Sequence, residues 1–237
     1  MARHIKLISR KLSNREHAGQ LLGDKLTAYA HRQDVMVLGL APGGVPVAYE
    51  VAKKLHAPLD ALVVRPVPVP GSDEMTMGAV AGGDLRVVDR QTTDELGLEP
   101  ETVDEAVKSA FKEWKRDASR YRGNRPPLQL DGWTVILVDD GGATPDFMES
   151  AARVLRRARV ARLIVALPVG GTEACERLAR RADEVVCALT PFPFEGVNVC
   201  YSHLAELTKE DVRALLDRSS AVAPAAGPLA PFERTLD

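Results

Sequence analysis

The sequence is poor in the residues that make simple functional signatures. Its three cysteines, Cys175, Cys187 and Cys200, include no CxxC pair. That excludes a zinc ribbon or a disulfide scaffold and suits a reducing compartment. Cys187 lies in the apolar run VVCAL, where a core thiol is expected. Five histidines (His4, His17, His31, His56 and His203) are scattered without metal-ligand spacing, and no Ser-His-Asp or Cys-His set is evident. Charge of one sign is also lacking. Lys and Arg total 31 against 33 Asp and Glu, a net charge of -2, so no basic excess drives binding to a phosphate backbone and nucleic acid is not an expected partner. The arginines at 153, 156, 157, 159 and 162 crowd one stretch, which reads as a solvated helix face. No apolar run approaches the length of a membrane span, and MARHIKLISRKLSNREHAG holds no apolar core of a secretory signal. A cytoplasmic location without membrane contact is therefore expected.

What is present is an alternation of apolar runs and helical periodicities over 237 residues, enough for one large domain. Residues 15–31 carry Ala18, Leu21, Leu22, Leu26 and Tyr29 at helical spacing. Val35–Ala41 reads as a strand, VPVAYEVAKKL as a helix and Leu59–Val64 as a second strand, which makes a β-α-β unit with parallel strands. Residues 65–83, rich in Pro and Gly, read as a long surface loop ending in a short strand near Met77–Ala81. Leu85–Val88 would pair with that strand as a hairpin. A long helix follows from Glu101 to about Gly123, with Val103, Val107, Ala110, Phe111, Trp114 and Ala118 on one face. The alternation then resumes. Strands are expected at 134–140, 162–169 and 184–189, and helices at 145–158, 173–181 and 209–217. The fold class is α/β, an open and mostly parallel sheet flanked by helices, with a small hood or hairpin insertion. Residues 1–218 form the domain and the Ala/Pro-rich 219–237 a flexible tail.

Ligands of open α/β sheets bind beyond the carboxyl ends of the strands. That directs attention to APGG after the first strand, RPVPVPG after the second, and VILVDDGGAT. The last is the most informative. Asp139 and Asp140 at a strand end are costly unless solvated or bound to something. Gly141 and Gly142 let backbone approach a ligand, and Thr144 opens a helix. Acids for hydroxyls or a magnesium complex, with a helix start for phosphate, suit a phosphorylated polyol. The alternative is that both acids cap local turns.

This stretch resembles the PRPP-binding motif of type I phosphoribosyltransferases: an apolar strand, two acids, then Gly-x-Ala-Thr-Gly-x-Thr. The similarity runs from about residue 10 to 217, through GGVPVAYEVAKKL, LVVR, PGSDEMTMGAVAGG, YRGNRPPLQLDGWTVILVDDG and EVVCALTPFPFEGVNVCY. It is closest to a bacterial subgroup of undefined substrate. The resemblance implies the type I phosphoribosyltransferase fold and transfer of ribose 5-phosphate from PRPP, with Mg²⁺, to a nitrogenous base, releasing pyrophosphate. It implies that Asp139 and Asp140 hold ribose hydroxyls and that residues 141–147, among them Gly141, Gly142, Ala143 and Thr144, hold the 5-phosphate. It implies further that Gly43 and Gly44 hold pyrophosphate with Arg65 beside them, and that Phe194 with Phe192 and Tyr201 faces the base. Arg65 also reads as a surface ion pair, and the three rings also read as packing under a loop. Glu74 matches an acid of relatives and has no assigned role. Family members often form dimers, and the Trp114 helix and the loop near Met75–Met77 offer an apolar surface for a homo-oligomer.

Three positions depart from the pattern. Thr144-Pro145-Asp146-Phe147 stands where relatives have Thr-Gly-x-Thr. Pro145 has no N–H for a phosphate, Phe147 no hydroxyl, and Asp146 adds negative charge. As a helix start the same residues suit their own N-terminus. Pro42 stands for an Arg before the glycine pair, and Pro66 for a Lys after Arg65. Two readings follow: a transferase with unusual loops, or a catalytically degenerate member of the fold that binds a nucleotide-like ligand or a partner.

Overall fold

The computed structural model describes residues 11–72, 75–82, 85–141 and 145–220. The β-α-β reading holds at the amino-terminal half. After α1 (Arg15–Lys25) and one turn of 3-10 helix (Thr27–Tyr29) come β1 (Val35–Leu40), α2 (Gly44–Leu55) and β2 (Leu59–Leu62). The second half supplies β6 (Thr134–Val138), α5 (Pro145–Arg157), β7 (Arg162–Val169), α6 (Thr172–Ala179) and β8 (Glu184–Leu189). It closes with a short α7 (Val197–Cys200) and α8 (Lys209–Ser220). The five strands form one sheet in the order β2-β1-β6-β7-β8. Every pairing in it is parallel, with Gly39 beside Val138 and Val138 beside Ala166.

Strands β1, β6 and β7 are apolar along their length because both faces of the sheet are covered. Side chains alternate across the sheet. Val35, Val37, Ile136, Val138, Ile164 and Ala166 turn to the layer that holds α1, α2 and α8. Leu38, Leu40, Val135, Leu137, Leu163 and Val165 turn to the layer that holds Met148, Ala151, Ala152 and Leu155 of α5. The site-bearing strand β6 is thus central in the sheet and clamped from two sides.

Between the halves lies the hood, β3 (Arg65–Pro68), β4 (Thr76–Val80) and β5 (Arg86–Val88), an antiparallel sheet in that order. It is followed by α3 (Arg90–Glu95) and the long α4 (Pro100–Arg122). Residues 65–68 are a strand, where a loop is expected from their prolines. Val69 N–H bonds to Met75 O at 2.8 Å, so the nitrogens of Pro66 and Pro68, alternate to it, point away from β4 along the edge of the sheet. Val67, Val69, Met77, Val80, Val107 and Ala110 make the hood's own core against α4.

Met77 is buried, and the Trp114 indole donates to Val63 O at 3.1 Å. That leaves Met75 and Phe111 as the exposed apolar side chains of the expected oligomer surface. Cys187 is half-buried and donates to Leu189 O. Ser219 and Ser220, expected in the tail, complete α8, and 221–237 lie outside the described residues. No helix among the described residues is long and apolar enough to cross a membrane.

Candidate functional site

Strand β6 ends at Val138, and the next two residues carry the acids. Asp139 is half-buried, and its carboxyl is pushed well above the ordinary carboxylate range, first by loss of solvation and then by the neighbouring charge of Asp140. Asp140 is tied by both of its ends. Its Oδ2 receives the Arg15 guanidinium at 2.8 Å from Nη2 and 2.9 Å from Nε. Its backbone carbonyl accepts from the Tyr201 hydroxyl at 2.7 Å. The Arg15 Nη1 donates to Ala205 O at 2.6 Å. The strand end therefore joins α1 and the segment after α7. Leu12 and Tyr201 form a parallel bridge, with Leu12 N–H on Cys200 O and Ser202 N–H on Leu12 O.

The glycine pair is dictated by space rather than by dihedral freedom. Gly43 has φ -62° and ψ -39°, which any residue adopts. A Cβ there would stand 2.5 Å from Asp140 Oδ2, and one on Gly44 would stand 2.3 Å from Val138 O. Bare backbone lets the first turn of α2 rest on the end of β6. The Asp140 carboxylate then lies at the positive end of that helix, a favourable placement. Gly141 is equally crowded, since a Cβ would meet Val197 Cγ2 at 2.6 Å.

The structure thus brings Asp139, Asp140, Gly43, Gly44 and Gly141 together. Gly142, Ala143 and Thr144 lie outside the described residues, as does Glu74. Phe147 turns its ring into the α5 side of the core. Arg65 is engaged by α4: its guanidinium pairs with the buried Asp117 carboxylate. The aromatics divide three ways. Phe192 is 85% exposed, Phe194 is half-buried against Gly171 and the α1–α2 core, and Tyr201 is buried with its hydroxyl committed. Burial, with the Asp140 charge, pushes the Tyr201 phenol up, so it remains a donor.

Arg15 was missed by the sequence reading. The available signal is electrostatic. An arginine at the first position of a helix opposes the helix dipole, so its reason must lie outside the helix. Volume does not pick out this place either. A groove of about 890 Å³ lies between the hood, α3 and α4, lined by Arg86, Arg90, Asp94, Asp104 and Arg157 and by neither acid. The arginine stretch runs from α5 into the start of β7 and is largely paired with acids of other segments, Arg153 with Asp89, Arg156 with Asp183, Arg159 with Asp131 and Arg162 with Glu184.

The residues at the strand end do not fit a divalent ion. One oxygen of Asp140 already carries a guanidinium, and no three His, Cys, Asp or Glu side chains converge among the described residues.

Comparison with known proteins follows the same outline. The model of the phosphoribosyl transferase domain matches residues 13–206. Two Mycobacterium tuberculosis proteins, provisionally named phosphoribosyl transferases, are each 37% identical over 206 residues, 87% of this chain and 46% of theirs. The chain therefore spans about half the length of those curated relatives. The crystal structure of TT1426 from Thermus thermophilus is 37% identical with a TM-score of 0.80, and the match covers 90% of this chain and 100% of that one. By the extent of the domain match and by these relatives, the chain belongs to the phosphoribosyl transferase family.

Proposed function

We propose that the chain binds a ribose 5-phosphate ligand, as PRPP or a nucleotide, at the carboxyl end of β6, and that it transfers the group to a nitrogenous base slowly. The observation that carries this is the seating of the Asp140 carboxylate against Gly43 at the start of α2. An acid for hydroxyls and a backbone start for an anion lie side by side there. Asp140 can accept a hydrogen bond from a ribose hydroxyl, with Asp139 beside it at the end of β6. In the transfer, the bond from ribose C1 to pyrophosphate breaks, a bond from C1 to a base nitrogen forms, and the proton of that nitrogen passes to solvent. The rate of such a step depends on cations that meet the departing pyrophosphate. Pro42 and Pro66 offer none, and Arg65 is paired with Asp117.

The second reading, a nucleotide-binding member without turnover, is favoured by Phe147, whose ring serves the core where a hydroxyl would serve a phosphate. Titration of PRPP and of nucleoside monophosphates by calorimetry, with pyrophosphate release followed over a panel of purine and pyrimidine bases, separates the two. Binding with release supports slow transfer, and binding without release supports the second reading. Binding of neither ligand class sinks both.

A further inference from the structure

The resemblance implies Mg²⁺ together with PRPP, and acids at a strand end suit hydroxyls or a magnesium complex, yet the charge that faces Asp140 is already in place. Arg15 directs two nitrogens to one oxygen of Asp140 and a third to the Ala205 carbonyl, and both side chains are largely buried, 14% and 18% exposed. Two hydrogen bonds and an ion-pair contact from a planar group fix its position closely. Nothing in α1 explains this arginine: it stands at the helix start, where a cation is disfavoured, while the cap is made by Asn14 accepting from His17 N–H at 2.9 Å. Asp140 explains it. A divalent cation on the same oxygen would be pressed against the guanidinium, and like charges at that separation repel strongly. The guanidinium meets Oδ2, while Oδ1, the other oxygen of that carboxylate, lies beside Gly43 at the start of α2 and is the one offered to a ligand hydroxyl.

We infer that Arg15 is the resident counter-cation of Asp140, a positioning residue that lets this site take a phosphorylated sugar with no divalent metal on that carboxylate. The inference rests on the proposed reading of the site as a ribose 5-phosphate site. An always-charged guanidinium is suited to the task, because it is more weakly hydrated than an ammonium and tolerates burial. It also screens the acid from the ligand's own phosphate, which an uncovered carboxylate would repel.

The test uses the full chain, with ribose 5-phosphate and Mn²⁺ as probes. Calorimetry in EDTA and in Mg²⁺ should give ribose 5-phosphate affinities within about threefold of each other. Arg15→Gln, checked for an unchanged fold by circular dichroism and thermal melting, should lose about tenfold or more in EDTA and regain most of it in Mg²⁺. Rescue by metal is a signature that a merely structural arginine would not give. In the absence of any sugar, Mn²⁺ should bind Arg15→Gln and neither the natural chain nor the double variant Arg15→Gln, Asp140→Asn. The inference is overturned if the natural chain binds Mn²⁺ in a way that Asp140→Asn abolishes. It is equally overturned if its sugar affinity rises about tenfold with Mg²⁺, or if Arg15→Gln changes neither affinity nor metal dependence. Should the natural chain bind neither ribose 5-phosphate nor PRPP, the proposed function falls, while the Mn²⁺ measurement still decides whether Arg15 fills the cation's place.

Discussion

Asp139 and Asp140 are adjacent in sequence and opposite in circumstance. Asp140 has a guanidinium, a helix start and, through its carbonyl, a phenol. Asp139 has burial and a like charge beside it, which raise its carboxyl well above the ordinary range. A raised carboxyl binds its proton more tightly in the folded chain than in the unfolded one. Its contribution to stability is therefore complete below the unfolded pKa and is lost as pH rises through the folded value. Asp139→Asn keeps a neutral side chain of the same shape at every pH. The variant is expected to melt higher than the natural chain at alkaline pH, with the advantage shrinking on acidification. The difference should change by at most about 1.4 kcal/mol per pH unit for one proton. Urea midpoints across that range check it, and a difference that stays constant or reverses with pH would remove Asp139 as the cause. Both acids were legible in the sequence because a polar pair at the end of TVILV has to be accounted for. Their separate roles were not, because Arg15 and Tyr201 reach them from 125 and 61 residues away.

Among the elements, β7 and β8 fall at their expected residues, since apolar runs with β-branched residues and flanking helices leave little choice. The hood was half legible. The β4–β5 hairpin follows from its alternation, but β3 was hidden by Pro66 and Pro68, whose ring nitrogens are harmless only on an edge strand, and edge position is a property of the sheet rather than of the segment. α3 was not anticipated, because its six residues, RQTTDE, show no apolar stripe. Strand β3 is fastened to α4 by Arg65 and Asp117, with Asp117 buried and Arg65 42% exposed. Removing the arginine strands a buried carboxylate. Arg65→Ala is expected to cost about 1–3 kcal/mol, the range for a buried group left without its partner, with the low end favoured by the exposed guanidinium. Amide exchange in 65–68 should speed up while β6 and β7 keep their protection, and Arg65→Met with Asp117→Leu should recover much of the loss. An Arg65→Ala chain of natural stability would mean that the pair is not what holds the hood.

At the scale of the molecule, the candidate site is also a junction. Leu12 and Ser13 before α1, Asp140 at the end of β6, and Cys200 to Ala205 after α7 are bound to one another by backbone pairs and by the Arg15 and Tyr201 side chains. The family's fold accounts for the sheet, but this stitching depends on two side chains whose partners lie in other segments. Junctions of this kind open as a unit when one tie is cut, since each backbone pair alone is short. Tyr201→Phe removes one oxygen from an otherwise unchanged packing and leaves the Asp140 carbonyl without that donor. The expected cost is about 1–3 kcal/mol, the desolvation penalty of an unsatisfied buried acceptor. The more telling expectation is spatial. Exchange at the amides of Leu12, Ser202 and His203 should accelerate together and by similar factors, while Val37, Ile136 and Val165 in the sheet stay protected. Ribose 5-phosphate, if it bridges Asp140 to the start of α2, should slow the same three amides in the natural chain. At about a hundred times its dissociation constant, a ligand of the folded state adds about 2.7 kcal/mol to global stability. Acceleration at Leu12 without Ser202 and His203 would mean that the two strands of the junction open independently, and that Asp140 is an end-cap of β6 rather than the point at which the chain's first and last described segments meet.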